Sequence, residues 1–162
     1  WLRLAEFTHD DTAFVVSLLN SPGWLQYIGD RNVHPDEEAI AYLDNGPIKS
    51  YREYGFGLWR VVLQSTGKPI GMCGILKRPE MDSPDLGFAF LPEYQRQGFA
   101  FEAAEAVIHF ARERLRLPEL LAIVQPDNQA SIGLLLKTGF TFVKQVTAGA
   151  KLETLDLYQL KL

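Results

Sequence analysis

The amino-acid sequence predicts one domain of mixed α/β (α+β) class, on three observations. Two helix-period segments precede Phe56, and from there the period changes to that of strands. A strand–helix–strand unit follows, from Leu86 to Val124. No repeat, low-complexity segment or linker interrupts the 162 residues, a length that buries one core without disulfides.

Each element has a local reason. Residues 2–7 place Leu2, Leu4 and Phe7 in rough alternation with polar side chains, a short first strand. Thr8 or Asp10 caps the next helix, whose apolar stripe is Phe14, Val15, Leu18 and Leu19. Ser21-Pro22-Gly23 ends it, and residues 24–35 form an irregular connection closed by Pro35. Asp36, Glu37 and Glu38 then open a second helix at its positive end, with Ala39, Ile40 and Leu43 on the buried side.

Residues 57–63 and 69–76 are β-rich runs around Ser65-Thr66-Gly67-Lys68, which predicts a hairpin. A polar loop over 79–84 leads to another strand over 86–91. Residues 98–117 read as a helix, with Phe99, Ala103, Ala106, Val107, Phe110 and Ala111 on one face. Residues 120–124 are a continuous apolar run, as in a strand covered on both faces. The intervening helix makes the strands at 86–91 and 120–124 parallel, with a right-handed crossover. Asp127-Asn128 caps a further helix through Lys137, Gly139 is its left-handed terminator, and strands follow from Phe140 and over 154–160.

Composition narrows the function. A net charge of −4 argues against a dominant nucleic-acid surface, although it is compatible with a local amide-lined pocket or a basic protein substrate. The single cysteine, Cys73, forms no intramolecular disulfide and suits the cytoplasm. No apolar run approaches the ~18 residues of a membrane span, and the first residues lack the pattern of a secretory leader. No His/Cys cluster has metal-ligand spacing. The expectation is a cytoplasmic protein with no metal, no nucleic-acid partner and no membrane partner.

Gln95-Arg96-Gln97-Gly98-Phe99-Ala100 joins a strand to the first turn of the long helix. Unpaired amides and partial positive charge make such a turn a phosphate site, Gly98 lets a diphosphate approach the backbone, and Arg96 adds a charge. On these six residues alone a plain helix-start glycine is the simpler reading. The turn lacks both the first glycine of G-x-G-x-x-G and the G-K-[ST] ending of a P-loop, which weakens nicotinamide and ATP chemistry.

The motif and the order of elements together resemble the GNAT superfamily of acyl-CoA N-acyltransferases. Residues 95–100 match its [QR]-x-x-G-x-[GA] signature. Asn128-Gln129-Ala130-Ser131 followed by Leu136-Lys137-Thr138-Gly139-Phe140 is similar to its N-x-x-S…L-x-K-x-G-F pattern. Leu2-Arg3-Leu4, Gly71-Met72-Cys73-Gly74 and Asp85-Leu86-Gly87-Phe88 resemble the branch that acetylates N-terminal amines of ribosomal proteins and also contains small-amine enzymes. The resemblance implies a mixed, largely antiparallel sheet whose fourth and fifth strands are parallel and splayed, flanked by about four helices. It implies acetyl-CoA as co-substrate, and a peptide or small-molecule amine as acceptor; a homodimer stays open. Backbone groups at Phe88, Ala89 and Phe90 are then expected to bind the pantetheine arm. Amides of Arg96, Gln97, Gly98, Phe99 and Ala100 beside Gln95 hold the diphosphate, and the Asn128 side chain bonds the pantetheine or simply caps its helix.

Transfer to an amine by direct attack in a ternary complex needs a neutral amine, a donor for the developing oxyanion and a proton for the thiolate. The resemblance implies a backbone N–H near Phe90 as donor and Asp85, at the head of its strand, as base, directly or through water; Glu93 and Glu53 are rivals. Many members of the family carry a tyrosine where this chain has Leu135, which donates no proton. Ser131, one turn earlier on the same face, is the nearest polar candidate for acid, ahead of Tyr94 and Tyr158. Cys73 reads as a small buried residue, His109 as solvated, and His9 and His34 as caps or pocket lining. Trp24, Tyr27, Tyr51 and Tyr54 fall in the N-terminal region that covers the acceptor cleft in this family. The runner-up is an acyl-CoA-binding module without catalysis, with Leu135 as its trace; an α/β regulatory domain with no CoA site comes third.

Overall fold

The computed structural model describes residues 1–22, 36–148 and 153–162. Strands β1 (Leu2–Ala5), β2 (Leu58–Leu63), β3 (Lys68–Leu76), β4 (Asp85–Phe90), β5 (Glu119–Val124), β6 (Thr141–Ala148) and β7 (Glu153–Lys161) form one sheet. Its order is β1-β2-β3-β4-β5-β7-β6. Helices α1 (Thr12–Leu19), α2 (Asp36–Asn45), α3 (Pro47–Tyr54), α4 (Phe99–Glu113) and α5 (Gln129–Lys137) flank it. All neighbouring strands pair antiparallel except β4 and β5, which are parallel as expected. The irregular connection predicted over 24–35, with Trp24, Tyr27 and His34, lies outside the described residues.

Local chemistry explains most boundaries. Thr8 accepts the Asp10 amide while Asp11 reaches back to the Thr8 amide, a capping box that opens a 3-10 turn (His9–Asp11) leading into α1. Helix α3 begins on Pro47 and ends on Gly55 in the left-handed region at φ 77°. This helix was not among the elements expected from the sequence. Gly67, at φ 73°, returns its amide to the Leu63 carbonyl and turns β2 into β3.

One boundary is corrected. The helix expected through Leu117 closes at Glu113. Arg116 adopts φ 54° and the Leu117 amide bonds the Ala111 carbonyl, so the chain terminates the helix without a glycine.

The two sheet faces carry separate apolar clusters. Under α4, Val61, Ile70, Cys73, Ile75, Leu86 and Phe90 meet Ala103, Ala104, Val107, Ile108 and Ala111. On the other face Phe7, Val15, Leu18, Leu19, Ala39 and Leu43 cover Leu58 and Met72. Each fully buried aliphatic contributes about 1.5–3 kcal/mol, and the alternation of Met72 with Cys73 is the strand period at work. Gly74 sits where the chains press together: a Cβ there would lie 2.0 Å from the Gly57 carbonyl oxygen. That contact admits glycine alone.

Candidate active site

Strands β4 and β5 touch at one end. Their paired residues are Asp85 and Leu121, joined by a 3.0 Å bond from the Leu121 amide to the Pro84 carbonyl. Each remains fully paired on its other side, β4 with β3 and β5 with β7. Beyond Asp85 the facing edges therefore diverge into a wedge-shaped split whose two walls make no strand-to-strand bond with each other.

Strand alternation tells which groups face the split. Pro84 points its carbonyl toward β5, whereas Leu91 points its amide to Ile70 of β3. Alternate residues from Pro84, namely Leu86, Phe88 and Phe90, therefore present their backbone groups to the split. Ala89, expected with Phe88 and Phe90, points its backbone to β3 and contributes packing on the other face.

At the open end of the split the chain enters α4 through residues 95–98. Arg96 and Gly98 both stand in the left-handed region, at φ 62° and 85°. Gly98 is the N-cap and offers no side chain to the helix. Among the described residues, the amides from Arg96 to Phe101 make no backbone hydrogen bond; the Glu102 amide, 3.1 Å from the Gly98 carbonyl, begins the helical ladder. Left-handed residues between ordinary ones gather successive N–H groups into a concave anion site, and the helix dipole adds to it. A Cβ built on Gly98 meets no atom within 4 Å, so the space before this turn is open. Gln95 turns back to donate to the Phe90 carbonyl at 3.0 Å, tying the turn to the end of β4.

Asn128 caps α5 by accepting the Ser131 amide at 3.2 Å, and its amide nitrogen has no partner among the described residues. Ser131 is half-buried one turn before Leu135. Leu135 is 1% exposed and packs in the core that also holds Phe140 and Tyr158. Tyr158 thus belongs to the core, and Tyr94 leans on Phe99 near the turn.

Asp85 lies at the closed end, 1% exposed, with both carboxylate oxygens 3.1 Å from Arg78 Nε. Burial raises its pKa from 3.8 to about 6, against the lowering effect of Arg78. The Arg78 partner of Asp85 is not legible in the sequence, because two residues seven apart across a loop carry no periodic signal. Glu53 pairs with Lys49 on α3, while Glu93 and His109 are exposed. His9 forms an exposed pair with Asp44. Tyr51 accepts the Phe7 amide and donates to the Leu58 carbonyl, while Tyr54 is exposed beside Phe56. Cys73 is fully buried, which pushes its thiol well above the usual range.

No group of three metal-binding side chains occurs among the described residues, and no helix there is long and apolar enough to cross a membrane. What the split and its turn offer is an open strand edge leading to an anion cradle.

The comparisons with known proteins agree with that geometry. Residues 2–141 match the family described as an acetyltransferase (GNAT) domain. The chain is 28% identical over 140 residues to the uncharacterized N-acetyltransferase YoaA of Bacillus subtilis, covering 86% of this chain and 78% of YoaA. The crystal structure of an acetyltransferase from Agrobacterium tumefaciens superposes with a TM-score of 0.82 at 24% identity, over 99% of this chain and 91% of that one. RimL, a ribosomal L7/L12 alpha-N-protein acetyltransferase solved with coenzyme A, gives 0.81 at 18% identity over 99% and 94%. The two structures share the fold, and the family match extends over most of the sequence. This chain belongs to the GNAT family of acetyltransferases.

Proposed function

We propose that the chain transfers an acetyl group from acetyl-CoA to a primary amine, by direct attack while both are bound. The observation that carries the proposal is the run of unpaired amides from Arg96 to Phe101 at the mouth of the β4–β5 split. Acetyl-CoA, when bound, supplies the acyl group in activated form as a thioester. The chain's own groups fit it. The amides of Arg96, Gln97, Gly98, Phe99 and Ala100 hold the diphosphate, and Gln95 fixes the turn through the Phe90 carbonyl. Backbone groups of Phe88 and Phe90 receive the pantetheine arm as a strand edge would, and the Asn128 amide nitrogen donates to it. The Phe90 N–H is aimed into the split and is the donor for the acyl oxygen.

The proton chemistry is more constrained. Asp85 is too buried for an amine to touch and lies five residues along β4 from Phe90, roughly 17 Å at the rise of a strand, so its role as base runs through a chain of waters along the split. Ser131, half-buried on α5 one turn before Leu135, is assigned the proton for the departing thiolate. Cys73, the single thiol, is wholly buried and does not carry the acetyl group, which favours direct transfer.

The acceptor is a peptide N-terminus or a small-molecule amine, and the likeness to RimL makes N-terminal peptides the first choice to try. Thiol release from acetyl-CoA, followed across a panel of peptides and small amines, tests the proposal. Acetylated product supports it. Tight CoA binding without turnover on any acceptor indicates the inactive module instead.

A further inference from the structure

The cation at the end of α5 has no role in the reading above. Lys137 occupies the last turn of α5 and extends its ammonium over the ring of Phe101, 4.4 Å from the centroid. Phe101 belongs to the first turn of α4, within the run of unpaired amides. Helical side chains lean toward the N-terminus of their helix, and Phe101 is only about 4.5 Å along the axis from Gly98. Lys137 therefore delivers a positive charge to the flank of the anion cradle.

The negative end of α5 suits the Lys137 ammonium, the N-terminus of α4 beside it draws anions, and no carboxylate among the described residues lies within ion-pair distance of Lys137. Glu102, the acid of that first turn, faces away and accepts the Leu2 amide at 3.1 Å. The ring face of Phe101 holds the ammonium in place without neutralising it. Amides that seat one phosphate and an exposed ammonium beside them, paired with no carboxylate, suit a ligand with two separated phosphate groups.

We infer that Lys137, positioned by Phe101, binds a second phosphate of the acyl donor, the 3′-phosphate on the ribose of coenzyme A. The inference rests on the proposed acetyl-CoA site and adds to it a specificity-determining residue. It makes the chain distinguish coenzyme A from 3′-dephospho-coenzyme A, which carries the same diphosphate, pantetheine and thiol. The alternative is that the Lys137–Phe101 contact merely fastens α5 to α4.

Calorimetric titration of the full chain with both ligands separates these accounts. The unaltered protein is expected to bind coenzyme A more tightly than the dephospho form, with a steeper dependence on salt. Lys137→Met retains the apolar stem and removes the charge. It should weaken coenzyme A about threefold to fivefold, the upper range of an exposed ion pair, and leave the dephospho form unchanged. Lys137→Arg should restore the preference, and Phe101→Leu should reduce it while the charge remains. Thermal unfolding of each variant reports any loss of helix packing separately. Equal weakening of both ligands by Lys137→Met, or no change in either, overturns the inference and leaves the acetyl-CoA site standing. Failure of the unaltered protein to bind either ligand overturns both.

Discussion

Gly98 and Asp85 show how differently single residues serve the two ends of the split. Gly98 holds φ 85° before open space, so a side chain there meets strain first and the ligand second. Left-handed backbone costs an L residue about 1–2 kcal/mol, with asparagine among the more tolerant. Gly98→Val should therefore lose about that much stability and bind CoA much more weakly. Gly98→Asn should keep most of the stability and still lose affinity, because its side chain enters the cradle. Calorimetry and urea unfolding on the same samples check both halves. Unchanged affinity in folded Gly98→Val would remove this turn from the site.

Asp85 is governed by burial. Its pKa is raised from 3.8 to about 6, so the folded protein holds this proton more tightly than the unfolded chain. The stabilisation is complete below the unfolded value and is lost as pH rises through about 6, a span worth about 3 kcal/mol. Asp85→Asn should abolish that slope, making the variant gain relative to the unaltered protein between pH 4 and pH 7 in urea titrations. As base through water, the same carboxylate should also be worth ~10² or more in turnover, with CoA affinity unaffected. Raising the pH should partly rescue the variant, because more amine then arrives neutral. Near-normal turnover across the pH range would leave Asp85 as a structural charge clamped by Arg78.

Among the elements, α5 shows a motif departing from its family at a position where packing decides the outcome. Leu135 is 1% exposed, in the same core as Phe140 at the start of β6. A tyrosine there must find room for a ring and a partner for its hydroxyl. Overpacking of this kind costs about 1–3 kcal/mol. Leu135→Tyr is accordingly expected to lower the unfolding midpoint without raising the maximal rate. A faster enzyme would show instead that thiolate protonation limits turnover and that Ser131 does it poorly.

At the scale of the whole molecule, the sheet is two antiparallel blocks, β1–β4 and β5–β7–β6, joined through the Asp85–Leu121 pair. A ligand lying in the split would add the missing backbone partners and bind both blocks. Hydrogen exchange offers a direct measure. The amides of Phe88 and Phe90 should exchange quickly in the free protein and slow on addition of CoA, whereas those of Ala89 and Leu91 should be protected throughout. Equal protection of all four without ligand would contradict the open split.

Much of this was legible in the sequence because it is local. Capping residues, the glycine that opens α4, the helical stripe of Ala103, Val107 and Ala111 and the parallel crossover all follow from neighbours within a turn or from short connections. The two signatures, at 95–100 and 128–140, fall on the turn into α4 and on α5 with the residues that follow it. Helix α3 escaped because its apolar positions are few and tyrosine-rich, and α4 ended early because Arg116 took a backbone conformation usually left to glycine. Only the tertiary structure decided which backbone groups face the split, that Asp85 is clamped by Arg78, and that Lys137 reaches Phe101 on another helix. Those contacts join elements with no fixed spacing in the chain. Their energies depend on burial and on which strand edges remain unpaired, quantities that exist only once the sheet has closed around its core.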